Sequence, residues 1–175
     1  MNEASPEGAV TISLAERRVF SDSFKPLYNE GMSLVEQAAE YLDGKGRAEA
    51  KKLSRLTATL YAAESMRLTT RLMQVASWLL LQRAANSGEM TREQVAAEKA
   101  KVRLDTASAS EQAEGWTDLP EAFRDLVNRS LSLQNLVRRM DAQVYGGAVA
   151  IPQPQRRPNP VSDQITLLNT AFGRV

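Results

Sequence analysis

The chain has 175 residues, and its 22 lysine and arginine residues against 21 acidic residues give a formal net charge of +1. This length fits one domain with additional ends, and the balanced charge excludes a long-range attraction to nucleic acid or anionic lipid. The absence of cysteine and histidine excludes disulfides, thiolate zinc sites and hydrolytic triads with a histidine base.

Residues 1–20 are predicted to form a flexible arm. The opening MNEASPEG is acidic and polar and has neither the basic segment nor the apolar segment of a secretory signal, so a cytoplasmic location is expected. The short alternation in AVTISLA favours a strand only weakly, because a single strand without a partner is not stable.

The first helix is predicted to begin at SDSFKP, where Asp22 or Ser23 can cap it and Pro26 falls in the first turn. Its inward face follows alternating steps of three and four residues: Phe24, Leu27, Gly31, Leu34, Ala38 and Tyr41. The glycines of DGKG are expected to end it.

A second helix is predicted to run without interruption from Arg47 to Asn86, which corresponds to a rod about 60 Å long. Apolar side chains cover half of its circumference or more: Leu53, Leu56, Leu60, Met66, Leu68, Leu72, Met73, Val75, Ala76, Leu79 and Leu80. One partner helix covers a narrower stripe, so we expect two neighbours within the chain and a second subunit. The longest apolar run, 75–81, is far shorter than the roughly 20 residues needed to span a bilayer, and no membrane insertion is expected.

Ser87 and Gly88 are predicted to stop the rod, and Thr91 with Gln94 forms a capping box for a short charged helix. Residues 105–115 are expected to form a surface connection. The last helix carries apolar or small residues at strict three-four spacing, typical of a bundle seam: Phe123, Leu126, Ser130, Leu133, Val137, Met140 and Val144. The sequence therefore predicts an all-α antiparallel three-helix bundle over residues 21–146, with one very long central helix.

Residues 147–175 are predicted to form a mobile proline-rich tail. Ile165, Leu168 and Phe172 share one side of a short helix within it. This apolar segment is either a hook for a partner or a segment that folds back on its own bundle, and the pattern does not decide between them.

Arg67, Arg71, Gln74 and Trp78 lie in one stripe of the long helix, with Glu64 at its edge. Three roles fit this stripe: structural pairing with a neighbouring helix, partner binding, or an anion site in a helical enzyme of the kind seen in chorismate mutases. Nucleic acid fits less well, because Arg67 and Arg71 are not embedded in a wider basic face. No phosphate-binding loop, nucleotide fingerprint or metal-ligand cluster is present in the sequence, so no catalytic residue, cofactor or metal is predicted.

The segments AESMRLTTRLMQVASWLLLQRA, GEMTREQVAAEKAKVRL and EQAAEYLDGKGRAEAKKLSRL resemble the bacterial cell-cycle family called regulator of CtrA degradation (RcdA). The resemblance runs from about Phe24 to Leu104 and is long and contiguous. It implies a homodimeric, non-enzymatic adaptor for the ClpXP protease. Such an adaptor joins a response-regulator-primed protease at the cell pole to cargo, directly or through a further adaptor that binds cyclic di-GMP and brings CtrA.

A protease adaptor is therefore the leading hypothesis. The alternatives are a small helical enzyme that binds an anion through Arg67, Arg71 and Gln74, and a helical binding module linked to transcription. The candidate partner-binding residues are Arg67, Arg71, Gln74 and Trp78 in the bundle, with Ile165, Leu168 and Phe172 in the tail.

Overall fold

The computed structural model describes residues 24–146, and all of its regular structure is helical. The helices are α1 (Phe24–Asp43), α2 (Lys45–Ala50), α3 (Arg55–Asn86), α4 (Arg92–Lys99) and α5 (Glu121–Tyr145). The predicted all-α class and the long central helix are confirmed. The predictions for the arm, for the caps Asp22 and Ser23, and for the tail with Ile165, Leu168 and Phe172 lie outside the described residues.

The first helix, α1, has the predicted inward face. All six of the residues predicted to point inward are buried, because the three-four spacing places them on one side of the helix. The helix ends at Gly44, whose backbone N–H donates to the carbonyl of Glu40 at 3.0 Å.

The predicted uninterrupted rod from Arg47 to Asn86 is wrong, because the chain turns at residues 51–54 and α3 begins only at Arg55. Ser54 is the N-cap, and its hydroxyl accepts a hydrogen bond from the backbone N–H of Thr57 at 3.2 Å. Serine satisfies an otherwise unpaired helix donor in this way. The remaining 32 residues of α3 make a helix about 48 Å long.

The three long helices do not all alternate in direction. Helix α1 is antiparallel to α3, since Tyr28 near the start of α1 contacts Arg83 near the end of α3. Helices α3 and α5 run in parallel: the Phe123 ring lies 4.5 Å from that of Tyr61, and the Tyr145 hydroxyl donates to Gln82 Oε1 at 2.9 Å. The chain reaches this arrangement because it returns along α3 before α5 begins.

The segment between α4 and α5 makes this return. Residues 101–108 alternate between exposed and half-buried side chains, as an extended chain does when one side faces a core. Val102, Leu104 and Ala109 pack against the core, and Trp116 and Leu119 belong to it. The expectation of a surface connection at 105–115 is therefore corrected: the inner side of this segment is packed against α3.

The predicted capping box of α4 and the predicted seam of α5 are confirmed. Thr91 and Gln94 form both bonds of the capping box that starts α4. All seven predicted seam residues of α5 are buried. Within residues 24–146 no helix has both the length and the apolar character that crossing a bilayer requires.

Gly46 is needed where α2 packs against two tyrosines. A Cβ at this position would lie 2.6 Å from the Tyr61 hydroxyl and 2.8 Å from the Tyr41 carbonyl oxygen. The Tyr41 hydroxyl donates to Glu49 Oε2 at 2.6 Å, and burial followed by this bond and the Glu49 charge raises the pKa of Tyr41. The Tyr41 ring is therefore held in place, and its carbonyl oxygen belongs to the helix backbone and cannot make room.

We expect Gly46→Ala to lower the free energy of unfolding by about 1–2 kcal/mol, because overpacking of about 1–3 kcal/mol exceeds the helix-propensity gain of alanine. Chemical denaturation measures this. Arg47→Ala, at an exposed position of the same helix, is the control and should change stability by no more than about 0.5 kcal/mol. An unchanged or higher stability for Gly46→Ala would contradict the packing described for α2.

Candidate functional site

The stripe predicted from the sequence divides into a buried part and an exposed part. Arg71 and Trp78 are 0% exposed, whereas the Arg67 side chain is 47% exposed and Gln74 is half-buried. Glu64, which the sequence placed at the edge of the stripe, is completely buried, as is Gln82. We call Glu64, Arg71, Trp78 and Gln82 the polar column of α3.

Glu64 holds the return segment by its carboxylate. Its Oε1 accepts the backbone N–H of Ala109 at 2.9 Å and a bond from Arg67 Nη1, and its Oε2 accepts the Ser108 hydroxyl. Burial alone would raise the pKa of Glu64, but the bonds from Ser108, Arg67 and Ala109 and the Arg67 charge outweigh it and lower the pKa below its ordinary value. The buried carboxylate is therefore ionised and satisfied.

Arg71 holds the part of the return segment that comes just before Ser108 and Ala109. Its Nη1 donates to the Ser130 hydroxyl of α5 at 2.7 Å. Its Nε and Nη2 donate to the carbonyl oxygens of Thr106 and Ala107, each at 3.3 Å. A guanidinium has five N–H donors in a rigid fork, so one buried side chain satisfies backbone groups that lack a helix or sheet partner.

The two column residues nearer the end of α3, Trp78 and Gln82, join this helix to α5 and α4. Trp78 Nε1 donates to Asp141 Oδ1 at 2.9 Å. The same oxygen accepts Lys99 Nζ of α4 at 2.8 Å, and that ammonium lies 4.7 Å from the centroid of the Tyr145 ring. Tyr145 in turn bonds to Gln82. One carboxylate thus connects three helices.

Gln74 belongs to the same attachment from the surface side. Its Oε1 accepts the backbone N–H of Arg103 at 2.8 Å. The partners Arg103, Thr106 and Ala109 follow one another along the return segment in the reverse order of Gln74, Arg71 and Glu64 on α3. Gln74, Arg71 and Glu64 together therefore fix the register of this segment.

This arrangement bears on all three of the roles predicted for the stripe. Arg71 and Trp78 are enclosed, so they have an intramolecular role and present no surface to a partner. The structural role holds, but its predicted form is corrected: Arg71 binds carbonyl oxygens and Ser130 instead of an acidic side chain of a neighbouring helix. The arginine pocket required by the enzymatic alternative does not form in residues 24–146, because the Arg71 guanidinium is already bonded within the core.

A different surface of α3 carries the exposed apolar side chains. All of the large hydrophobic residues that are strongly exposed within residues 24–146 lie on this helix: Leu56 at 51%, Met66 at 73%, Met73 at 64% and Leu80 at 50%. Met66, Met73 and Leu80 are seven residues apart, so they lie on one face. We call these three residues the α3 stripe. The sequence pattern places them on the apolar circumference of the helix but does not mark them as a site.

The α3 stripe continues into a groove between α3 and α4. This groove has a volume of about 510 Å³ and is lined by Leu80, Leu81, Met90 and Val102 among others. Contiguous apolar surface of this kind marks interaction sites more often than single exposed residues do. Methionine also adapts to differently shaped partners. The exposed side of α3 is therefore the candidate functional surface.

Comparison with known proteins matches this chain to a family and to a solved structure. The model of a family described as "Protein of unknown function (DUF1465)" matches residues 15–172. The crystal structure of RcdA from Caulobacter crescentus CB15 is similar to this chain with a TM-score of 0.60 and 47% sequence identity, over 72% of this chain and 93% of that chain. No curated protein matched.

Arg71 and Arg67 are expected to contribute unequally to the stability of the protein. We expect Arg71→Met to lower the free energy of unfolding by about 3 kcal/mol, because it removes the donors to the carbonyl oxygens of Thr106 and Ala107 and to the buried hydroxyl of Ser130. Arg67→Met, one turn away and half-exposed, should cost about 1 kcal/mol or less. Urea denaturation of both variants tests this, and equal losses would show that Arg71 does not carry the attachment.

The lowered pKa of Glu64 predicts how the stability of the folded state depends on pH. The folded state binds the carboxyl proton more weakly than the unfolded state, so the contribution of Glu64 is present above the ordinary value of 4.5 and is lost as pH falls through the folded pKa. We expect Glu64→Gln to be less stable than the parent at neutral pH, with a difference that shrinks as the pH falls below 4.5. Thermal unfolding across pH measures it, with exposed Glu98→Gln as control. A constant difference would contradict an ionised Glu64.

Proposed function

This chain belongs to the RcdA family, described as "Protein of unknown function (DUF1465)", and from that membership we propose that it regulates CtrA degradation as a non-enzymatic adaptor of the ClpXP protease. In this role the chain increases the local concentration of cargo at the protease. The adaptor itself supplies binding surfaces and no catalytic group. It acts in the cytoplasm and is recruited to the cell pole.

The observation that carries this proposal is the division of α3 into two sides. On its inner side, the buried side chains of Glu64 and Arg71 hold the return segment. Its apolar side chains Met66 and Met73 remain exposed on the opposite surface. A rigid helix with an uncovered apolar face suits association with other proteins.

We assign the α3 stripe to contact with a second copy of the chain, so that the adaptor is a homodimer. A two-fold dimer uses the same patch on both subunits, and residues seven apart on a straight helix can pack against their own symmetry copies. Leu80 also lines the α3–α4 groove. The contact between the two copies can therefore continue from α3 into this groove.

The family membership also motivates the partners that we propose for the adaptor. They are ClpXP primed by a response regulator, a cyclic di-GMP-binding adaptor, and protein cargo that includes CtrA. The tail residues Ile165, Leu168 and Phe172 are proposed as a hook for one of these proteins, on a linker long enough to raise its effective concentration. Arg67 and Gln74, on the accessible edge of the stripe predicted from the sequence, are the remaining candidates within the bundle.

The dimer assignment predicts the behaviour of Met73→Lys. Met73 is 64% exposed, so this change should alter the free energy of unfolding by no more than about 0.5 kcal/mol. A buried lysine pair across the two-fold axis should nevertheless dissociate the dimer. Sedimentation velocity at micromolar concentration gives the oligomeric state.

Ala39→Glu, at an exposed position of α1, is the matched control and should remain dimeric. A monomeric parent chain would contradict the homodimer itself. A dimeric Met73→Lys variant would place the interface elsewhere.

The adaptor role predicts the outcome of reconstituted proteolysis. With ClpXP, its response regulator, the cyclic di-GMP-binding adaptor and CtrA present, addition of this chain should increase the rate of CtrA degradation by about tenfold or more. Truncation after Gly147 should leave folding intact and reduce this effect. So should replacement of Ile165, Leu168 and Phe172 by serine in the full chain, whereas serine at Val161 should not. Unchanged degradation on addition of the intact chain would contradict the adaptor role.

A further inference from the structure

A cleft opens where the beginning of α1 meets the end of α3. Its volume is about 380 Å³, and Phe24 and Tyr28 from α1 face Arg83 and Asn86 from α3 across it. Pockets for small ligands begin at roughly 300 Å³, so the cleft accepts a group about the size of one amino acid. It lies apart from the polar column, the α3 stripe and the α3–α4 groove.

The aromatic wall of this cleft is anchored to the core. Phe24 is only 4% exposed, and its ring centroid lies 6.4 Å from that of Tyr28 in a tilted arrangement. Tyr28 is half-buried. The wall therefore offers apolar surface mainly through the half-buried Tyr28 ring, which the buried Phe24 ring supports.

Arg83 is held in position against this wall. Its guanidinium lies 5.0 Å from the centroid of the Tyr28 ring, and its Nη1 donates to the Tyr28 hydroxyl at 2.9 Å. One of its five N–H donors is used in this bond. Two contacts to the same residue fix the plane of the guanidinium before any ligand arrives, which reduces the entropy that binding must overcome.

Among the described residues that line the cleft, all of the charged side chains are cationic. Lys25 and Arg83 line it, together with the neutral polar residues Asn29, Asn86 and Ser87. None of the described residues that line the cleft is acidic. Two cations, a planar donor fork and amide groups match a carboxylate, which accepts paired N–H bonds from a guanidinium.

We propose that this cleft binds a carboxylate attached to an aromatic or apolar group, with the carboxylate at Arg83 and Lys25 and the apolar group against Tyr28 and Phe24. The carboxylate belongs either to a small molecule or to a residue of a partner polypeptide, which share this chemistry. The site does not depend on the adaptor role, since it rests on the geometry of the cleft alone.

Titration of the full chain with N-acetylphenylalanine, followed by the NMR shifts of the Arg83 Nε–H and the Ser87 amide, tests the site. For a ligand of this size we expect saturation with a Kd on the order of 1 mM. The neutral amide of the same compound should bind about tenfold more weakly or worse. A second titration uses a hexapeptide capped at both ends with an internal Phe-Asp pair, and tighter binding of this peptide would identify a polypeptide as the source of the carboxylate.

Three variants separate the site from nonspecific binding. Arg83→Gln should weaken binding about tenfold, and Tyr28→Phe, which keeps the ring but removes the hydroxyl that holds Arg83, should weaken it about threefold. Arg55→Gln, exposed at the other end of α3, should leave binding unchanged. Absence of saturation with both probes, equal affinity for the neutral amide, or unchanged binding by Arg83→Gln would overturn the proposal.

Discussion

The fold depends on how one irregular segment satisfies its backbone hydrogen bonds while packed against the longest helix. Residues 101–108 have no helix or sheet to pair with, yet buried carbonyl and N–H groups must find partners. Glu64 and Arg71 provide both kinds of partner, an acceptor for Ala109 N–H and donors for the carbonyl groups of Thr106 and Ala107. Because the segment can lie there, the chain returns along α3 and α5 starts beside the beginning of that helix, which makes the two helices parallel.

This use of α3 separates its two sides. The side facing α1, α5 and the return segment contains the core and the polar column, whereas the outward side leaves Met66, Met73 and Leu80 exposed. The apolar circumference of α3 predicted that other helices cover it on more than one side. Within the chain, only its inner side is covered. The proposed contact with a second copy covers the other side, and it lets the same helix serve as both the centre of the bundle and the surface for association.

The sequence predicted the elements whose pattern is local. The inward faces of α1 and α5 follow a regular period, so Leu27 and Val137 were placed correctly, and the box of Thr91 and Gln94 was visible from its spacing. The turn at residues 51–54 was missed because every residue from Arg47 to Asn86 tolerates a helix, and only Ser54 signalled a cap. The partners of Arg71 could not be predicted. They are backbone carbonyl groups, which every residue has, and they lie 35 and 36 positions away in the sequence.

Hydrogen exchange of the return segment measures whether the side chains of α3 hold it in place. If the side chains of α3 hold this segment, the backbone amides of Arg103 and Ala109, which donate to Gln74 and Glu64, exchange at least about 100-fold more slowly than in an unstructured peptide. They do so although the segment has no regular structure. Exchange of both amides at the unstructured rate, while the amides in the middle of α3 stay protected, would contradict the account.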